Sequence, residues 1–170
     1  MFKTLVLAAL ASAVVYSAPV VAKAPAMVRS DAAFLAMAAQ ADMTMAHIGK
    51  MAQDRAATNK VKDFANTLVQ DHTSDYQRLT ELAAKVGDTV PKAIDERNRH
   101  TIAELDHKKG KTFDHAFLTR ESVDHEKLIS AFKWEAEHGS NPDIKAYANQ
   151  TLPTIERHLH DSQDLQRRQS

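Results

Sequence analysis

Apolar residues recur at alternating steps of three and four along four segments of the chain, with polar residues between them. In the first of these segments the apolar positions are Phe34, Ala38, Ala41, Met45, Ile48 and Ala52. This spacing puts the apolar side chains on one face of an α-helix, which is typical of a helix that packs inside a bundle. The pattern therefore predicts an all-α fold with four long helices.

Residues that cap helix N-termini mark where the long helices begin. They are Ser30, Thr58 or Asn59, Thr112, and Asn141 directly before Pro142. Gly87 suits the position just after the second helix. Residues 94–108 form a weaker, more charged helical segment, which we interpret as the connection between the first pair of helices and the second.

The two predicted pairs of helices resemble each other in sequence. Asp-Ala-Ala-Phe-Leu at 31–35 returns as Asp-His-Ala-Phe-Leu at 114–118, and residues 59–66 match residues 142–149 at the same offset. A match at one fixed offset without a gap is typical of a duplicated unit. We therefore predict a ferritin-like four-helix bundle built from two pseudo-repeated helical hairpins. An up-down-up-down bundle with a helical insertion is the alternative.

The start of the chain has the pattern of an export signal. Lys3 precedes a short apolar run over residues 5–15, and small residues place the cleavage site between Ala22 and Ala24. The run is short for a membrane span, so an uncleaved anchor is the less favoured alternative. The predicted layout is a signal peptide at 1–24, a linker at 25–29 and the bundle at 30–166, divided into hairpin 30–87, crossover 88–111 and hairpin 112–166.

Composition restricts the partners of the exported chain. Removal of Lys3 and Lys23 from the 22 Lys and Arg leaves 20 against 22 Asp and Glu, a net charge near −2. This balance argues against nucleic acid as a partner, because nucleic acid calls for a basic face. Cysteine is absent, so neither disulfides nor thiol chemistry contribute. We expect a periplasmic or outer-membrane-associated protein without a transmembrane segment after cleavage, with peripheral envelope association left open and its protein partner unknown.

Three of the nine histidines lie on the inward-facing stripes of the predicted bundle. His72, His125 and His158 belong to the second, third and fourth long helices, and Glu121 shares the face of His125 four residues before it. Imidazole together with carboxylate suits a divalent transition metal, and such ligands are commonly built into bundle cores. These four residues are the candidate metal ligands.

A structural role is the alternative for the same histidines. Each has an acid near it in sequence: Asp71, Asp124 and Glu156. A buried histidine needs a hydrogen-bond partner whether or not a metal binds. The metal hypothesis requires the three rings to come together, and separations above about 10 Å would exclude it.

A di-iron centre of the ferritin type is not well supported by these residues. That centre takes a Glu from each of two helices and a Glu-x-x-His motif from each of the other two. The motif occurs here at Glu135 and His138, at the end of a helix, and the first helix offers Asp42 but no Glu. No other catalytic motif stands out in the chain.

Several short motifs taken together resemble a known family. They are Phe64-Ala65, Asp71-His72, Phe113-Asp114, Asp124-His125, Lys145-Ala146-Tyr147-Ala148, Thr151-Leu152-Pro153 and His158-Leu159. Over residues 33–165 the chain is similar to a secreted bacterial domain-of-unknown-function family with a ferritin-like fold. The resemblance implies a four-helix bundle, export and no established enzymatic activity, and His72, His125 and His158 match its histidine positions. The family often shows a Glu near the place of Met45 and His47, which this chain lacks.

The favoured function is an exported, non-catalytic helical bundle with an envelope- or stress-associated role, whose core binds a divalent metal or small ligand. A ferritin-type metal-dependent oxidoreductase is one alternative. An interaction module of the cell envelope is another, and it predicts a large exposed apolar patch. Enzymatic activity is left undecided, with its absence favoured.

Overall fold

The computed structural model describes residues 30–169, over which the chain is all-helical and forms no β-strand. The five helices are α1 (Asp31–Arg55), α2 (Asn59–Lys85), α3 (Glu96–Asp106), α4 (Gly110–His138) and α5 (Pro142–Arg167). The all-α prediction is therefore confirmed. The predicted signal peptide and linker lie outside the described residues. From Ser30 to Gln169, no helix combines the length and the apolar character needed to cross a bilayer.

Three of the predicted N-caps are confirmed. The side chains of Ser30, Thr58 and Asn141 accept hydrogen bonds from backbone N–H groups in the first turns of α1, α2 and α5. Each cap pairs a donor that the helix itself leaves unbonded. At the other end of α2, Gly87 has a φ of 79° and directly follows the C-cap, as its sequence position indicated.

The prediction that Thr112 caps the third long helix is wrong. The helix α4 begins two residues earlier at Gly110, and Lys109 occupies the N-cap position without a side-chain hydrogen bond. Gly110 has a φ of 60°, which a glycine adopts at little cost, so the chain can turn into the helix before it reaches Thr112. The connecting helix α3 is also shorter than residues 94–108: it begins at Glu96, because Asp95 caps it, and it ends at Asp106.

The four long helices pack as two antiparallel pairs. Only residues 56–58 separate α1 from α2, and only residues 139–141 separate α4 from α5, so each pair is a hairpin. Among the five described helices the contact within each pair is the most extensive, and the pairs meet where α1 packs on α4 and α2 on α5. The short α3 lies mainly against α1.

The apolar core is divided into two clusters. One joins the first half of α1 to the second halves of α2 and α4 and the first half of α5, and it includes Phe34, Phe132 and Tyr147. The other joins the second half of α1 to the first halves of α2 and α4, and it includes Phe64 and Phe117. A layer of buried polar residues separates the two clusters. On α2 these residues lie between Leu68 and Leu79, and on α4 they lie between Leu118 and Leu128.

The two hairpins exchange caps with each other. Asp31 at the start of α1 accepts hydrogen bonds from the backbone N–H groups of Ser140 (2.9 Å) and Asn141 (2.7 Å), just ahead of α5. Asp114 in α4 accepts one from the N–H of Ala57 (2.9 Å), just ahead of α2. The first helix of each hairpin thus binds the start of the other hairpin's second helix.

Glu135 is a fully buried acid beside this contact. Both of its carboxylate oxygens lack a hydrogen-bond partner among the described residues. Burial, together with the negative charge of Asp31, raises the pKa of Glu135 from 4.5 to about 7, against a smaller opposing effect of Lys145. Below about pH 7 the carboxyl is therefore mainly neutral in the folded chain.

Glu135→Gln is expected to remove a pH dependence of stability. Because the carboxyl holds its proton more tightly in the folded chain than in the unfolded one, its stabilisation is complete below about pH 4.5 and is lost as the pH rises through about 7. From pH 5 to pH 8 the difference in unfolding free energy should move in favour of the variant by about 2 kcal/mol. Urea unfolding at both pH values measures this, and Glu137→Gln at an exposed neighbouring acid should show no such trend.

Candidate metal centre

The three histidines on the inward-facing stripes come together in the polar layer between the two apolar clusters. His72, His125 and His158 are 3%, 0% and 0% exposed. Their ring centroids are 5.3 to 5.6 Å apart, and one nitrogen from each ring lies within 4.8 Å of the others. The requirement that the three rings lie close together is therefore met.

The hydrogen bonds of His125 and His158 determine which of their nitrogens carry hydrogen. Nδ1 of His125 lies 2.8 Å from the backbone carbonyl oxygen of Glu121, and Nε2 of His158 lies 2.8 Å from Oδ2 of Asp71. Both oxygens can only accept, so both of these nitrogens donate. In the neutral rings, Nε2 of His125 and Nδ1 of His158 then have no hydrogen, and they face each other at 3.3 Å.

His72 has the same arrangement with a different partner. Its Nδ1 lies 2.9 Å from Oδ1 of Asp42, a buried carboxylate on α1. Its Nε2 has no hydrogen-bond partner among the described residues, and neither does Oδ2 of Asp42. The helix that lacks a Glu therefore does supply a carboxylate to this layer, as a partner of a histidine.

Burial and mutual repulsion keep two of the rings neutral. Burial, reinforced by the charge of His72, lowers the pKa of His158 to about 4, and burial with the charges of His72 and His158 lowers that of His125 well below its usual range. For His72, burial would lower the pKa, but the hydrogen bond to Asp42 and its charge raise it overall. Binding of a proton between His125 and His158 is therefore unfavourable.

The carboxyl groups around the rings differ in charge. Burial raises the pKa of Asp42 to about 6, although His72 opposes this. Burial raises the pKa of Glu121 to about 8, which leaves that carboxyl neutral near pH 7. Burial would also raise the pKa of Asp71, but hydrogen bonds from His158 and Arg157 lower it overall, so Asp71 is ionised.

Glu121 takes a different place from the three rings. It is 1% exposed, and its Oε2 lies 3.5 Å from Nδ1 of His125, the nitrogen already bonded to the Glu121 carbonyl. The group of converging atoms that could hold a metal consists of the three histidines. Glu121 therefore lies beside Nδ1 of His125 and not beside Nε2, which faces His158. The role of Glu121 as a fourth ligand stays a prediction.

The acids that pair with the histidines are not the nearest ones in sequence. Asp71 is the clearest case, because it directly precedes His72 in the chain but bonds to His158 across the α2–α5 contact. Glu156 forms an ion pair with Lys133, at 2.9 Å. Asp124 pairs with Arg120 and with Lys127 on its own helix.

Asp75 is a buried polar residue of this layer that the sequence reasoning did not select. It is three residues after His72 and so shares its face of α2, which was the available signal. Its Oδ1 lies 3.2 Å from Nη1 of Arg78, and Arg78 reaches toward the surface. Asp75 raises the pKa of both His72 and Asp42 through its charge.

The spacing of two ring nitrogens fits a metal ion with nitrogen ligands, and binding by all three rings requires them to move closer than their present separation of up to 4.8 Å. Histidines that bind metals usually donate their second ring nitrogen to a carboxylate or a backbone carbonyl, which fixes the tautomer. All three rings here have such a partner. With metal–nitrogen distances of about 2.0–2.1 Å, two ligands of a tetrahedral zinc ion lie about 3.3 Å apart, which is the separation between His125 Nε2 and His158 Nδ1.

The chain matches the model of a known family. The model of a family described as "Domain of unknown function (DUF4142)" matches residues 17–165. No curated protein and no solved structure is significantly similar to the chain.

Proposed function

The chain belongs to the family described as Domain of unknown function (DUF4142), and from that premise we propose that it binds one divalent transition-metal ion through His72, His125 and His158. The protein is an exported, ferritin-like four-helix bundle, and its role is to hold the ion rather than to catalyse a reaction on it. Zinc is the ion that these ligands suit best.

One observation carries this proposal. Two unprotonated imidazole nitrogens, of His125 and His158, face each other at 3.3 Å inside the bundle. Two lone pairs at that distance repel each other, and the low pKa of both rings disfavours a proton between them. A metal ion placed between the rings would convert this repulsion into two bonds, and Nε2 of His72 would supply a third after it releases the proton that its raised pKa favours.

The alternatives have less support. A ferritin-type oxidation centre needs several inward Glu residues, whereas Glu121 is the one Glu in this layer of the described chain. An interaction module predicts a large exposed apolar patch. Within residues 30–169, Val123 at 41% is the large hydrophobic side chain that is exposed.

Several contacts support the ferritin-like bundle with pseudo-repeated hairpins. The aromatic pair Phe34–Tyr147 (6.4 Å between centroids) has its counterpart, at the offset of the sequence repeat, in Phe117–Phe64 (6.1 Å). The caps that Asp31 and Asp114 provide are related by the same offset. Contacts of α1 with α4 and of α2 with α5 are those expected when a two-fold axis relates the hairpins.

Export rests on the first 24 residues of the sequence. Their short apolar run after Lys3 has the pattern of a secretory signal peptide. We place the mature protein in the periplasm or at the outer membrane. At that location a metal-binding bundle would suit an envelope- or stress-associated role.

Metal content tests the proposed function. The native chain, purified without a tag or chelator, is expected to retain one metal ion per chain by elemental mass spectrometry. A His72→Ala/His125→Ala variant should retain none, because one ligand cannot hold the ion. His100→Ala/His107→Ala, at two exposed histidines of the α3 region, is the matched control and should retain the full amount. Absence of metal from the native chain, or equal amounts in both variants, would refute the proposal.

A further inference from the structure

The three metal-binding histidines differ in their outer partners, the groups hydrogen-bonded to the ring nitrogen that does not bind the metal. The partner of His72 is the buried carboxylate of Asp42, and the partner of His125 is a backbone carbonyl inside α4. The partner of His158 is Asp71, whose side chain is 32% exposed. Among the three ligands, His158 is therefore the one whose hydrogen-bond partner is exposed to solvent.

Asp71 is itself held by a residue at the surface. Nη2 of Arg157 lies 2.9 Å from Oδ2 of Asp71, the same oxygen that accepts the hydrogen bond from Nε2 of His158. The Arg157 side chain is 48% exposed. An ion pair with this exposure contributes little to stability and breaks easily.

The helix that bears His158 is weakened close by. Pro153 lies inside α5, five residues before His158. A proline in a helix interior removes one backbone hydrogen bond and crowds the preceding turn, which lowers the cost of a local movement. His72 and His125 have no proline within their helices α2 and α4.

We propose that Asp71 and Arg157 form a latch that sets the rate at which metal enters and leaves the site, with His158 as the ligand that moves. When Arg157 releases Asp71, the carboxylate is free to bind an incoming hydrated cation, and His158 can swing outward together with Asp71, to which its Nε2 is hydrogen-bonded. Arg157 is a positioning residue in this scheme, because it acts on the ligand through Asp71. The inference rests on the proposed metal site.

The test is the rate of zinc exchange in the folded chain. Zinc-loaded protein is mixed with an excess of a chromogenic zinc chelator, and the absorbance of the zinc–chelator complex follows release. Arg157→Gln is expected to speed both release and uptake by roughly three- to tenfold, while Kd and the urea midpoint stay unchanged. Asp71→Asn should instead weaken zinc binding by about 10- to 100-fold, since it alters the outer partner of a ligand.

Lys133→Gln is the matched control for Arg157→Gln. Lys133 forms an exposed ion pair with Glu156, which directly precedes Arg157 in the chain. This ion pair includes none of the three histidines. Lys133→Gln should leave exchange unchanged. Equal exchange rates in the two variants would overturn the latch but leave the metal site in place, whereas a native chain that binds no zinc would overturn both.

Discussion

His125→Leu is expected to leave the metal-free chain at least as stable as the native one, and to abolish its stabilisation by zinc. Leucine fills a similar volume and removes the nitrogen that opposes His158 at 3.3 Å. Replacing buried polar groups with apolar ones of similar shape is often neutral or stabilising, here by about 1 kcal/mol. In the native chain, zinc at a thousandfold excess over Kd should add about 4 kcal/mol to the free energy of unfolding.

Urea unfolding with and without zinc measures both parts of this prediction. The structural interpretation of the histidines makes the opposite prediction. If the ring served only to stabilise the core, its replacement would lower the free energy of unfolding. A metal-free His125→Leu chain that is less stable by 2 kcal/mol or more would support that interpretation. His115→Leu, at an exposed histidine on the same helix, controls for the effect of leucine itself.

Phe117→Ala is expected to lower the free energy of unfolding by about 3–5 kcal/mol, as the truncation of a fully buried aromatic residue. Phe117 is 0% exposed and stacks on Phe113 with ring centroids 5.6 Å apart. It also packs against Phe64 of the other hairpin, so its loss opens a cavity at the contact between the two hairpins. Phe132→Ala, in the other cluster, should cost a similar amount.

Val123→Ala provides the comparison on the same helix. Val123 is largely outside the core, so its truncation should change stability by less than about 0.5 kcal/mol. Urea unfolding midpoints of the three variants decide the matter. If Phe117→Ala were as stable as Val123→Ala, the assignment of the inner face of α4 would be wrong.

The spacing of apolar residues was sufficient to predict the inward faces of the helices. Phe117, His125 and Phe132 follow each other at helical steps, and all three are buried. A helix has one face toward the core whatever its neighbours are, so periodicity alone identifies that face. The same reasoning selected His72 and His158, which lie on their helices at positions of the same kind.

Partners across helices were beyond that reasoning. Asp71 is adjacent to His72 in sequence, but successive residues of a helix point about 100° apart, and Asp71 reaches His158 of α5 instead. The N-terminus of α4 was also misplaced, because the turn at Gly110 depends on a backbone conformation that side-chain preferences did not reveal. Pairing between helices depends on their relative rotation, which a periodic pattern leaves undetermined.

The sequence repeat puts Asp42 and Asp75 at the positions that His125 and His158 hold in the second half of the chain. Two identical halves related by an axis would place the same residue on both sides at each of these two positions. A single chain with unequal halves escapes that constraint. Its first half supplies Asp42, Asp75 and His72, and its second half supplies the neutral nitrogen donors of His125 and His158, so a divalent cation can be matched in charge as well as in geometry.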